Sequence, residues 1–351
     1  MINVDFLLAG CNTRCKHCYV NGGPGPMMPV GDALACIERL DALAAHLPGD
    51  VSFTLDHEPV NHPCLGQILR MAAQTRHIEN YHHGMTTGVG LMARPDKAAV
   101  VQAYLDCGYE TFGVTLHGGP AHHNEIVRRR NAYEAAIAAG KFLKAHGAKL
   151  DVSLMLNRFF PADADMLTAA MEDLQPDYIY FAIPIFTPHR NMLDFEPYRA
   201  SMETLRQLRG YLLEWRQDEA AILKKAEQST ISAAIEHLRC GPGLRERFSQ
   251  AQDELYLTLH PDCKLYVGNS GAESRCLGDL RSIDLKAAAE QIRSLPGNRD
   301  YGAYYDAGRL PEDGALIETL EKLPPGQIYG DLPSAIYRGL AEMGVPTNIL
   351  C

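Results

Sequence analysis

The stretch "AGCNTRCKHCYVNGG", residues 9–23, sets Cys11, Cys15 and Cys18 in a C-x3-C-x2-C spacing directly behind the apolar run "INVDFLL". A structural zinc site takes four ligands, usually on paired C-x2-C arms, so three thiolates on one tight loop do not complete one. Three thiolates do suffice to hold three irons of a [4Fe–4S] cube and leave the fourth iron open to a small molecule. The position is as informative as the spacing. A short buried strand that delivers a ligand-bearing loop at its carboxyl end is how parallel α/β sheets build their sites.

Working outward from that loop, strand and helix patterns alternate. An amphipathic helix is read from about Asp32 to Leu47, then strand and loop in "DVSFTLDHEP", helix in "CLGQILRMAAQ" and a polar strand end in "YHHGMTTGVG". "DKAAVVQAYLDCG" reads as helix with Gly108 in the usual cap position. "YETFGVTLHGG" is strand, "NAYEAAIAAGKFLKAHG" helix, "AKLDVSLMLN" strand, "DADMLTAAMEDL" helix and "DYIYFAIPIF" a sixth strand, before a long helical zone from about Tyr198 to Leu238. This spacing predicts parallel strands with right-handed crossovers. The fold class expected is α/β: a partial (βα)6 TIM-like barrel over residues 1–228, with a smaller α+β extension over 229–351. Each chemistry-bearing stretch falls at a strand's carboxyl end, where such sheets bind ligands.

The 351 residues carry a formal net charge of −10, which argues against a surface built to coat nucleic acid or an anionic membrane. The start "MINVDFLLAG" has no basic n-region and too short an apolar run for a signal peptide, and no stretch approaches a membrane span. A cytoplasmic chain keeps its thiols reduced, so its ten cysteines read as metal ligands, reactive groups or core residues rather than bridges.

At "CNTRCKHCY" the chain resembles the radical S-adenosylmethionine (radical SAM) superfamily, including a ring-bearing residue, His17, before the third cysteine and Tyr19 after it. The resemblance implies that Cys11, Cys15 and Cys18 hold a [4Fe–4S] cluster whose open iron binds SAM. It implies reductive cleavage of SAM to methionine and a 5′-deoxyadenosyl radical, with a flavodoxin- or ferredoxin-type electron donor. "TLDHEPVNHP" stands where the family usually has Gly-Gly-Glu-Pro; Glu58 and Pro59 match, which makes Glu58 the expected anchor of the SAM amino group, while Asp56 and His57 replace the glycines. "FGVTLHGGPAHHNEIVRRRNAYEAAIAA" resembles the segment in which a Ser or Thr, here Thr115, and an Arg, here one of Arg128 to Arg130 (Arg128 and Arg130 foremost), contact the SAM carboxylate and ribose. The three arginines also fit a solvated helix start. Asn157 matches a position that often binds ribose hydroxyls, and "MTTGVG" resembles a Thr-Asn-Gly turn without its Asn. His17 and Tyr19 are expected beside the cofactor. Among many nearby histidines, His83 and His117 are the preferred acid/base pair, and Cys64 is a candidate hydrogen-atom donor from the loop after strand two.

The region "LHPDCKLYVGNSGAESRCLGDLRSIDLKAAAEQI" resembles the superfamily's SPASM/Twitch extension in degenerate form, with Cys263 where that pattern has glycine and Gly268 where it has cysteine. Cys240, Cys263, Cys276 and Cys351 equal in number the ligands one auxiliary iron–sulfur cluster needs, although none is paired by C-x2-C spacing. The alternative is four free thiols. Cys36, Cys64 and Cys107 lie on or beside helices and read as small core residues.

The function expected is hydrogen abstraction from an unactivated carbon. Because the chain starts at strand one, without a leader-gripping module ahead of it, the substrate expectation tilts to a small metabolite of amino-acid, sugar or nucleoside type. A maturase that modifies a residue of a ribosomal peptide is the alternative, and a non-catalytic iron–sulfur scaffold the second. The histidines offer no spaced pair for a zinc hydrolase.

Overall fold

The computed structural model describes all residues except 81, 189–192, 249–253, 296, 298–303 and 351. Six parallel positions follow one another in chain order: β1 (Ile2–Leu7), β2 (Val51–Asp56), a third position split into β3 (Glu79–Asn80) and β4 (His83–Met85), β5 (Thr111–Leu116), β6 (Lys149–Met155) and β7 (Tyr178–Ala182). β1, β2 and β3 pair in parallel, as do β4 through β7, so the split divides the barrel wall into two sheets. Helices α1 (Val30–Ala44), α2 (Leu65–Ala72), α3 (Val89–Ala93), α4 (Lys97–Asp106), α5 (Pro120–Ile126), α6 (Ala132–Ala145) and α7 (Phe160–Leu174) lie in the crossovers.

Alternation along each strand separates helix-facing from lumen-facing residues. On β5, Phe112, Val114 and Leu116 are buried in the core, whereas Thr111, Gly113 and Thr115 share the opposite face. That face is polar on strand after strand: Asn3 and Asp5, Ser52, Thr54 and Asp56, His83, and Asp151 and Ser153. A polar lumen is not a packed barrel core. Met85, Tyr178 and Tyr180 stay 42%, 51% and 55% exposed, which marks the lumen as open toward the last strand.

The extension adds its strands to the barrel's first sheet. β8 (Leu255–Leu259) pairs in parallel with β1 on the side away from β2, and β9 (Lys264–Val267) and β10 (Arg275–Asp279) continue the same sheet. Leu257, Leu259, Leu265 and the helix Leu285–Arg293 share the barrel's core. A second core forms around Ile231, Leu238, Leu316, Ile336 and Tyr337. The apolar face of β8 completes the wall beside β1, so those strands build the barrel rather than a separate sheet. The expected long helical zone is four short helices, Met202–Gln207, Arg209–Glu214, Glu219–Glu227 and Ile231–Cys240. Left-handed Arg216 and side-chain N-caps at Ser201, Asp218 and Thr230 punctuate it, each cap satisfying orphan N–H groups that a continuous helix would not have.

Candidate functional site

The loop after β1 turns back on itself: Cys11 N–H donates to Gly23 O at 2.9 Å and Met28 N–H to Leu8 O at 2.9 Å. At Gly22 the fold leaves a cradle. A Cβ there would stand 3.3 Å from Cys11 Sγ, 3.3 Å from Cys18 Sγ and 3.3 Å from His57 Cδ2, so two of the three sulfurs and one imidazole face a common point. Gly22 N–H donates to Cys18 Sγ at 3.1 Å, and Thr13 Oγ1 lies 3.4 Å from Cys15 Sγ. Burial raises all three thiols, that of Cys15 up to about 12. A [4Fe–4S] cluster carries its own metals and needs only thiolates at its corners.

A cavity of about 140 Å³ opens beside the loop, lined by Thr13, Cys15, His17, His57, Glu58, Met85, Thr86, Thr87, Thr115, His117 and His123 among others. Glu58, wholly buried, accepts from Thr86 Oγ1 at 2.5 Å and from Thr87 N–H at 2.8 Å. Burial raises its pKa, and those two bonds partly offset the rise. His57 occupies the left-handed region at φ 65°, where glycine is at home. The strained backbone places an imidazole at the cradle.

Three histidines with tilted rings line the cavity wall. His17 and His117 have ring centroids 4.4 Å apart, and His117 and His123 5.3 Å apart. His17 Nδ1 and His117 Nδ1 are buried without a hydrogen-bond partner among the described residues, which leaves two polar atoms for a ligand to satisfy. Burial drives the three imidazoles toward the neutral form, His123 down to about 4, with the neighbouring His17 adding to the effect there. The sign for stability follows. A histidine whose folded pKa lies below its ordinary 6.5 stabilises fully above 6.5, and that contribution fades as pH falls toward 4. The metal-free protein is expected to lose on the order of a few kcal/mol in total on acidification through that window, read by denaturant unfolding at pH 7 and pH 4.5. A flat profile would contradict buried neutral rings.

The other expected residues are placed differently. Arg128 pairs with exposed Asp194, Arg129 donates to Asn12 O at 3.1 Å and Arg130 is exposed; none of the three lines the cavity. Asn157 is buried, but its amide donates to His117 O at 2.8 Å and its Oδ1 accepts from Phe159 N–H at 3.0 Å, so it braces the loop under His117. His83 pairs with Asp151 at 2.5 Å in the lumen, in room left by Gly113, whose Cβ would meet Asp151 Oδ1 at 2.6 Å. Cys64 stands at the start of α2, outside the cavity lining. Tyr19 points away from this cavity into a second one.

The four C-terminal cysteines are not brought together among the described residues. Cys240 is exposed and bonded to Glu236, Cys276 is exposed on β10, and Cys263 is buried with its thiol against Cys36. Cys263 sits at φ 66° in the turn between β8 and β9, which turns its side chain into the core beneath α1. Cys351 lies outside the described residues. Missed by sequence reading were Thr13, Thr86 and Thr87, whereas His123 was among the histidines expected near the pocket. Thr86 carried a signal, since the "MTTG" turn was noted while its hydroxyl's role on Glu58 was not.

Residues 7–170 match the model of the Radical SAM superfamily. No curated protein matches the chain in sequence. Among solved structures, native anSMEcpe with bound AdoMet and the Cp18Cys peptide is similar over 97% of this chain and 96% of that one, with a TM-score of 0.54 at 11% identity. Streptococcus suis SuiB bound to precursor peptide SuiA is similar over 95% of this chain and 75% of that one, with a TM-score of 0.53 at 12% identity. At these identities the likeness is one of fold.

Proposed function

Because residues 7–170 of this chain form a radical SAM domain, we propose that it is a radical SAM enzyme that modifies a residue of a peptide. The observation that carries the radical reading is the convergence of Cys11, Cys18 and His57 on the Gly22 cradle, beside a cavity holding Cys15, Glu58 and the unpartnered histidines. The family's cofactors, a [4Fe–4S] cluster and SAM, supply when bound the reductive cleavage that yields a hydrogen-abstracting 5′-deoxyadenosyl radical.

This chain's own residues then have definite tasks. Cys11, Cys15 and Cys18 hold the cluster, and the Gly22 N–H on Cys18 Sγ stabilises the thiolate. Glu58, fixed by Thr86 and Thr87, presents carboxylate to the SAM ammonium. His17 and His117 offer Nδ1 atoms to the same ligand, where arginine was expected. Thr115, on the lumen side of β5, stays within reach as a hydroxyl partner. The buried walls exclude water, which protects a radical from side reactions.

Support for a peptide substrate comes from the two structural neighbours, both captured with peptides, and from the open, polar lumen. The expectation of a small metabolite has no comparable support. Anaerobic incubation of the reconstituted protein with SAM, dithionite and a peptide library, read by mass spectrometry, tests the point. A SAM-dependent mass change on peptides is expected; turnover confined to amino acids, sugars or nucleosides would contradict it.

Glu58→Gln separates binding from stability. A carboxyl whose folded pKa is raised contributes stability only while protonated, and loses it as pH rises through the folded value. Burial thus makes the charged form of Glu58 the less favourable one in the folded protein. The variant is expected to be more stable by about 1 kcal/mol when metal-free, yet to bind SAM on the order of tenfold more weakly. Equilibrium dialysis and denaturant unfolding check the two halves; unchanged SAM affinity would remove Glu58 from the site.

A further inference from the structure

Across the cysteine loop lies a second cavity, of about 380 Å³, in the size range of small-ligand pockets. Tyr19 and Val20 of the loop form one wall, and Asp5, Thr54, Asp56 and Tyr256 enter from β1, β2 and β8. Register puts these strand residues on the lumen face, with Asp5 opposite Thr54, Asn3 opposite Tyr256 and Leu7 opposite Asp56. Asp56, in this lining, directly precedes His57, whose ring stands at the Gly22 cradle.

Its chemistry is one-sided. Three carboxylates line it, Asp5, Asp56 and Asp331, and among the described residues of the lining there is no Lys, Arg or His. Asp331 is engaged as the cap of Ser334 N–H at 2.8 Å, and Asp56 accepts from His57 N–H at 2.7 Å. Asp5 accepts a single backbone bond, from Ser270 N–H at 2.9 Å; burial and the nearby Asp56 carboxylate push its pKa up to about 7. One acceptor stands unsatisfied at the same wall: Asn269 Oδ1 has no hydrogen-bond partner among the described residues. Tyr19, Tyr256, Tyr304 and Tyr337 supply aromatic faces. Carboxylates, an orphan acceptor and tyrosine rings in one concavity are what a desolvated cation requires: charge, a hydrogen-bond acceptor and π-faces.

We propose that this cavity is the substrate subsite, and that it takes a cationic side chain, the ammonium of lysine or the guanidinium of arginine, of the peptide to be modified. The inference rests on the proposed peptide-modifying function and narrows it to a substrate class. A cation there pairs the Asp5 and Asp56 carboxylates, the second of which also has His57 Nδ1 3.5 Å from its Oδ2.

The test uses the full chain, anaerobically reconstituted and supplied with SAM but no reductant. Fluorescent pentapeptides of glycine with a central lysine, arginine, norleucine, citrulline or glutamate are titrated and read by anisotropy. The lysine and arginine peptides are expected to bind about tenfold or more tighter than norleucine and citrulline, their neutral analogues, and the glutamate peptide weakest. Agmatine, a free guanidinium compound, is expected to displace the arginine peptide. Asp5→Asn is expected to shrink the preference to less than about threefold. The native protein's preference needs no variant, so an unfolded Asp5→Asn leaves the test standing. Equal binding of lysine and norleucine peptides, or tightest binding of the glutamate peptide, overturns the proposal. SAM cleavage is assayed separately on the native protein: cleavage without charge preference refutes the subsite alone, and charge preference without cleavage refutes the radical reading while upholding the subsite.

Discussion

Cys15→Ala protein, reconstituted anaerobically with iron and sulfide, is expected to hold no [4Fe–4S] cluster and to form 5′-deoxyadenosine from SAM on the order of a thousandfold more slowly than the native chain, or not at all. Three thiols serve three corners, and among the described residues no further cysteine lines the adjoining cavity. The other free cysteines are remote from the loop in role: Cys36 and Cys263 face each other in the core, while Cys240 and Cys276 sit on the surface. Burial holds the metal-free thiols protonated, so cluster assembly must release protons. Iron content, the visible absorbance of the cluster and chromatography of 5′-deoxyadenosine measure the loss. A variant that retained both cluster and product would show that Cys15 is a bystander.

Gly10→Ala is expected to have an effect of similar size by a different route. At Gly10 the chain passes against its own return: a Cβ would fall 2.3 Å from Gly25 N and 2.5 Å from Gly23 O. Both are backbone atoms, and Gly23 O is the acceptor of the Cys11 N–H bond. Gly10 O also accepts from Asn61 Nδ2 at 2.7 Å, which ties the loop to the segment after Glu58. A methyl group therefore cannot enter without parting the two arms of the cysteine loop. The expected cost is about 3 kcal/mol or more, with iron binding lost together with stability. Gly31→Ala is the control. It lies in α1 with open space around its Cβ position, and gains up to about 1 kcal/mol from helix propensity. Denaturant midpoints and iron content compare the two; a Gly10→Ala protein as stable and iron-replete as native would refute the crossing.

The barrel and the cysteine loop were legible because their signals are local. A strand, a loop with fixed cysteine spacing and a helix succeed one another within residues 2–44, and the βα period repeats along the chain. What was not legible depended on where neighbouring elements cross. A run of three arginines says nothing about which face each takes. Arg128 adopts φ 56° at the end of α5 and turns outward to Asp194, so the cavity wall falls to His117 and His123 instead. The β8 strand reads as part of an appendage because pairing with β1 spans some 250 positions, and no local pattern encodes that contact. Asp5 did carry a signal. An aspartate in the middle of the apolar run "INVDFLL" alternates with Asn3, and such alternation in a strand otherwise read as buried marks a polar lumen. That reading was available from the first seven residues and points to the second cavity.

The most direct measurement of the central claim is 5′-deoxyadenosine released from SAM by the native chain, anaerobically reconstituted and reduced with dithionite, with Cys15→Ala alongside. The account predicts product from the native chain and none from the variant. A native chain that assembles an oxygen-sensitive cluster and binds SAM yet releases no 5′-deoxyadenosine, even with lysine- and arginine-containing peptides present, would contradict it.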